Sequence, residues 1–191
     1  MIAKSSSILV TGDFCPVNRI ANQIPDDRNG TLLNDFLPVV RNAGLAITNL
    51  ECPLTDEAPG ITKIGPLLKA PADTAKTLAD WGFGLVTLAN NHVMDYGLPG
   101  LVSTIDACTR SGIDHVGAGT NYKEARSISY THVGDCKLAV LNIAENEFST
   151  THDNTPGANP MDIIENYRDI ATARKTSDFV LVIVHGGHEM Y

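Results

Sequence analysis

An α/β fold built on a largely parallel sheet is predicted by two features of this 191-residue sequence. Short apolar runs alternate with amphipathic stretches of helical length, the pattern of repeating β–α units. Several of those runs also end abruptly in carboxylates, amides and imidazoles. Buried polar atoms cost about 1–3 kcal/mol each when left without partners. Such groups therefore belong at strand ends, where α/β proteins place their chemistry.

Residues 8–11 read as the first strand, followed by Gly12-Asp13. Residues 30–42 read as a helix, and 45–49 as a strand leading into Leu50-Glu51. Residues 71–81 form the next predicted helix, with Pro71 at its start, where the missing proline N–H costs nothing. Residues 85–89 are a strand ending in Asn90-Asn91-His92, with Asp95-Tyr96-Gly97 close behind. Residues 98–111 form a helix whose Leu98, Leu101, Val102 and Ile105 share one face, the expected core stripe. A short strand is expected at 115–117. Residues 127–132 and 137–143, joined by Val133-Gly134-Asp135-Cys136, read as an antiparallel hairpin within the same sheet. Residues 145–160 are polar, contain Gly157 and two prolines, and read as a long loop. A helix over 161–175 and a strand over 179–184 complete the pattern, the strand running into His185-Gly186-Gly187-His188-Glu189.

Composition narrows the functional classes. The 43% apolar content suffices for one core of ordinary domain size. Acidic residues outnumber basic ones, 22 to 14, for a net charge of −8, and no basic stripe is present, which argues against a nucleic-acid partner. The four cysteines, Cys15, Cys52, Cys108 and Cys136, form no CxxC pair and read as free buried thiols rather than zinc ligands. No stretch reaches the ~20 apolar residues of a membrane span, and residues 1–7 hold no signal peptide. As written the chain reads as cytoplasmic; with a leader or anchor it would be membrane-associated or extracytoplasmic.

Four predicted strand tips deliver polar groups: Gly12-Asp13, Asn49-Leu50-Glu51, Asn90-Asn91-His92 and His185. Parallel strands end on one sheet edge, so these tips can converge. Carboxylate, amide and imidazole donors suit Mn²⁺, Fe²⁺, Zn²⁺ or Mg²⁺. A carboxylate between two tips could bridge a metal pair of the kind that clamps attacking and leaving oxygens in phosphoryl chemistry. Taken singly, each residue has an ordinary reading. Gly-Asp after a strand is commonly a turn or a cap. Glu51 suits a loop and His92 a packing role, and Asp95 suits holding the loop or orienting His92. His115, His132 and His152 lack such a setting and read as non-catalytic.

These residues resemble the bacterial CapA family of poly-γ-glutamate capsule biosynthesis, a branch of the calcineurin-like metallophosphatases. The resemblance rests on Gly12-Asp13, Asn49-Leu50-Glu51-Cys52-Pro53-Leu54-Thr55, Lys63, Lys69-Ala70-Pro71, Leu88 to Gly97, Gly117-Ala118-Gly119 with Asn121 and Glu124-Ala125, and His185 to Glu189. It covers nearly the whole chain. It implies a metallophosphatase-like layered α/β sandwich lacking its C-terminal portion, with residues 1–191 as one domain that is the N-terminal part of a longer family domain.

By the same resemblance Asp13 binds a first metal, Glu51 bridges two, and Asn91 and His185 hold the second. His92 becomes the proton donor or charge stabiliser, and Asp95 orients it. Glu189 falls near an acidic family position, although Gly187-His188 blurs the register. Lys63 faces either a substrate anion or solvent. The family's later histidine segment is missing here, which leaves the metal set incomplete and sheet edges open to pairing with another chain, a homo-oligomer included. The expected activity is metal-dependent hydrolysis of a phosphorylated or polyanionic substrate, using a divalent metal (Mn, Fe or Zn). The alternative is a non-catalytic scaffold that binds the membrane subunits of a polymer synthase.

Overall fold

The computed structural model describes residues 7–56 and 59–187. His188 and Glu189, singled out in the sequence, lie outside the described residues. Four strands, β1 (Ile8–Phe14), β2 (Leu45–Leu50), β3 (Leu85–Thr87) and β4 (Asp114–Val116), form a parallel sheet in that order. The helices between them are α1 (Leu37–Asn42), α2 (Thr74–Trp81) and α3 (Gly97–Ser111). Next come the short strand β5 (Ala118–Gly119) and the one-turn helix α4 (Tyr122–Ala125). A second sheet joins β6 (Ser129–Val133) and β7 (Cys136–Ala144) as an antiparallel hairpin. The two-residue β8 (Gly157–Ala158) pairs with β5. After α5 (Ile163–Thr176), β9 (Phe179–His185) runs parallel to β7.

Side-chain burial orders these elements into layers. Ile47 and Leu85 of the first sheet, with Val116, pack against Val133, Leu138 and Val140 of the second. The opposite face of the first sheet packs on α2 and α3 through Leu50, Val86, Leu78, Trp81 and Leu101. Ala173 of α5 covers Ala139 and Leu141 on the outer face of the second sheet. The result is a helix–sheet–sheet–helix sandwich in which each fully buried large apolar side chain contributes about 1.5–3 kcal/mol.

The alternating pattern thus gives the right class, with four local corrections. The hairpin lies in its own sheet with β9, because its inward face needs the β2–β3–β4 surface as a partner rather than an edge. The helix expected over 30–42 shrinks to α1, preceded by a 3-10 turn at Asn34–Phe36. There the Asp27 carboxylate captures the N–H groups of Thr31 and Leu32 at 2.8 and 2.9 Å, and Asn34 adopts φ +51°, so the chain turns instead of coiling. These bonds hold the Asp27 carboxyl below its ordinary pKa against the opposing effect of burial. Helix α2 begins at Thr74 rather than Pro71, because Ala70 is still pinned beside Leu54 by a bridge.

The buried face of α3 is Gly100, Leu101, Thr104, Ala107 and Cys108, whereas Leu98 and Val102 of the expected stripe are exposed. Small residues win that face because it has no room for larger ones: a Cβ on Gly100 would lie 2.6 Å from Tyr96 Cβ, with Pro53 in contact at 3.5 Å. Thr104 Oγ1 also accepts from the Leu54 N–H at 2.8 Å. Residues 145–160 do form a long connection, but an ordered one. It returns through β8 and buries Ser149, Thr150 and Thr151. All four cysteines are free, with Cys52 and Cys108 buried. The Cys52 thiol is pushed up by its contact with Cys15 and by burial. Among the described residues no helix is long and apolar enough to cross a membrane.

Candidate metal centre

The carboxyl ends of β1, β2, β3 and β9 meet across the two sheets. A register shift in β1 between Val10 and Asp13 places Asp13 opposite Asn49. Glu51 follows β2 directly, its N–H bonded to Phe14 O at 3.0 Å. Beyond β3 the chain leaves the ladder, yet Leu88 and Ala89 stay buried, because Leu88 N reaches Val116 O at 2.9 Å and Ala89 N reaches Asn142 Oδ1 at 2.5 Å. That exit delivers Asn90, Asn91 and His92. His185 closes the set from the last residue of β9, in the other sheet.

Asp13, Glu51 and His185 each bring a ligand atom into a group whose members all lie within 4.8 Å of one another. His185 Nε2 is 3.2 Å from Asn91 Oδ1 and 3.8 Å from Glu51 Oε1, and His185 Nδ1 is 3.6 Å from Asp13 Oδ1. These side chains line a cleft of about 350 Å³. Asp13, Glu51, Asn91 and His185, the four ligands expected from the sequence, are therefore brought together. Two carboxylates, an imidazole and an amide oxygen form a donor set that fits a hard or borderline divalent cation.

His92 and Asp95 form a second cluster, separate from the lining of that cleft. His92 Nδ1 is 2.7 Å from Asp95 Oδ2, which also accepts from the Leu68 N–H at 2.7 Å. Asp95 is fully buried. Lys63 neither faces solvent nor waits for an anion: its ammonium pairs with Asp95 Oδ1, lies 3.3 Å from His92 Nδ1, and sits 4.9 Å from the centre of the Phe148 ring. With Nδ1 engaged, the remaining ring nitrogen of His92 is the one available for proton transfer.

Three residues of the centre escaped the sequence reading. Glu145 and Glu147 stand on the cleft wall, and Glu145 Oε2 accepts from the Gly187 N–H at 3.0 Å. The strand-end rule applied to the run over 137–143 would have flagged Glu145, which follows β7 directly. Asn49, at a strand tip but without an expected role, hydrogen-bonds Asp13 and contacts His185. His115, His132 and His152 take no part in the group of ligand atoms.

Fold and site together define an α/β sandwich that gathers metal-binding donors at the carboxyl ends of strands from two sheets. The family profile described as "Bacterial capsule synthesis protein PGA_cap" matches residues 7–191, and the chain belongs to that family. It is 32% identical over 130 residues to the capsule biosynthesis protein CapA of Bacillus anthracis, covering 64% of this chain and 31% of that protein. It is 34% identical over 125 residues to the PGA biosynthesis protein CapA of Bacillus subtilis, covering 64% and 33%. A probable polyglutamine synthesis accessory protein of Mycobacterium tuberculosis is 28% identical over 109 residues, 56% of this chain and 29% of that one. The matches thus span about a third of the length of these relatives. A crystal structure of a hypothetical protein from Thermus thermophilus shares the fold, with a TM-score of 0.50 and 15% identity over 94% of this chain and 58% of that one.

Proposed function

We propose that this chain carries the dinuclear metal site of a phosphoesterase-type hydrolase serving capsule or poly-γ-glutamate biosynthesis. The observation that carries the reading is the convergence of Asp13, Glu51 and His185 ligand atoms within 4.8 Å, with Asn91 beside them. Asp13, Glu51, Asn91 and His185 would hold divalent metal (Mn, Fe or Zn), the family resemblance giving Glu51 the role shared between two ions. Bound metal would supply Lewis-acid activation and a nucleophilic water at neutral pH. His92, one residue beyond Asn91, would hand a proton to the leaving oxygen, and Asp95 fixes the ring for that task. The substrate is phosphorylated or otherwise anionic, bound where metal offsets the cleft's own carboxylates.

The test separates metal binding from turnover. Asp13→Ala and Glu51→Ala should each abolish retained Mn²⁺, and stoichiometric metal in both variants would remove the site. His92→Ala should keep Mn²⁺ and lose about 10²–10⁴-fold in hydrolysis of bis(p-nitrophenyl) phosphate. An unchanged rate takes His92 out of the mechanism. A second reading follows from the word "accessory" in the name of the mycobacterial relative: a non-catalytic partner of a membrane polymer synthase. It predicts metal without phosphoesterase turnover in the unmutated chain.

A further inference from the structure

We infer that Asn49 is the positioning residue of the metal centre, orienting both Asp13 and His185 through one amide whose direction is fixed from the backbone. This deepens the metal reading proposed above and rests on it.

Asn90 stands beside the candidate ligand Asn91 and is fully buried. Its side chain touches two backbone groups of known polarity. It reaches Leu50 O at 2.9 Å, which can only accept, and the His92 N–H at 3.1 Å, which can only donate. Asn90 Nδ2 and Oδ1 are assigned by those partners, with no freedom to flip. The same Nδ2 lies 3.2 Å from the side-chain oxygen of Asn49. The buried Thr87 hydroxyl lies 3.2 Å from that atom as well. A donating Nδ2 facing Asn49 requires an acceptor there, so the atom is Oδ1. The amide NH₂ of Asn49 must then point the other way.

On that side stand two candidate metal ligands. Asn49 Nδ2 is 2.7 Å from Asp13 Oδ1 and 3.2 Å from His185 Nδ1. Its two hydrogens meet one acceptor each. Asp13 is half exposed, with its side chain 54% accessible, so a free carboxylate there would sample many orientations. The bond to Oδ1 pins it and leaves Oδ2 to a cation. The bond to His185 makes Nδ1 an acceptor and puts the proton of the neutral ring on Nε2, facing Asn91 Oδ1. A cation entering at Nδ1 would replace the Asn49 bond and leave Nε2–H on Asn91 Oδ1; entry at Nε2 would break both bonds, because the ring proton would move to Nδ1 against an amide group that can only donate. Asn49 thus holds ligands from two different sheets in register before metal arrives. Outer residues of this kind typically affect metal affinity about 10–100-fold.

The experiment compares the unmutated chain with Asn49→Ala by Mn²⁺ titration calorimetry, with thermal unfolding in EDTA to verify folding. Asn49→Ala should bind Mn²⁺ about 10–100-fold more weakly. Affinity within twofold of the parent overturns the role of Asn49 while leaving the metal site standing; no Mn²⁺ binding by the parent overturns both. Because the variant leaves Thr87 and Asn90 without their partner and can fail to fold, a second measurement uses the parent alone. In the metal-free protein at pH 8, two-bond ¹H–¹⁵N spectra should show His185 protonated on Nε2. A proton on Nδ1 overturns the assignment.

Discussion

Gly117→Ala tests how the second sheet fixes the strand exit that carries the candidate centre. Gly117 has φ +100°, in the region that favours glycine, and a Cβ there would overlap Asn142 Oδ1 and lie 2.9 Å from Ala89 N. The backbone conformation alone costs about 1–2 kcal/mol for a residue with a side chain. The clash also drives the Asn142 amide away, and that amide is the partner of the fully buried Ala89 N–H at 2.5 Å. Leaving a buried N–H without an acceptor adds about 1–3 kcal/mol. Together the substitution costs about 2–5 kcal/mol, or roughly 4–20 °C in Tm for a domain of this size. Thermal unfolding followed by circular dichroism measures it. A loss below about 1 kcal/mol, small against these terms, would refute the claim that Asn142 and Gly117 clamp the exit from β3.

Two further outcomes follow from the buried charges and the histidines. Lys63→Met removes the ammonium beside a fully buried Asp95, and stripping one partner from such a pair costs about 3–5 kcal/mol; urea unfolding reads it, and an unchanged midpoint contradicts the pairing. Burial pushes the His115 imidazole below its ordinary pKa, against the smaller opposite effect of Asp114. A depressed folded value favours the neutral ring, so its contribution is full above about pH 6.5 and is lost as pH falls through the folded value. His115→Gln should therefore flatten the fall in Tm between pH 8 and pH 5, and an identical pH profile contradicts it.

Periodicity made the layers legible because helices and strands that bury one face must repeat at 3.6 or 2 residues. The strand tips were legible because Asp13, Glu51, Asn91 and His185 interrupt apolar runs with groups no core selects. Other features depend on contacts distant in sequence. The inward face of α3 is set by Pro53 and Leu54, some fifty residues away, and its small side chains carry little hydrophobic signal. Asp27 breaks a helix pattern through a side chain that looks like any loop aspartate. The hairpin's sheet is decided by packing against β2, β3 and β4. Lys63 reads as a surface residue until Asp95 and Phe148 enclose it. Asn49 shows its role only through a chain of hydrogen bonds running from Leu50 and His92 to two sheets.

Whether Asp13, Glu51 and His185 bind a metal ion is decided by elemental analysis of the purified chain. The protein is loaded with Mn²⁺, desalted and assayed for metal per chain. At least one tightly retained Mn²⁺ is expected, rising to two if Glu51 bridges a pair. A chain that folds and retains no metal contradicts metal binding there.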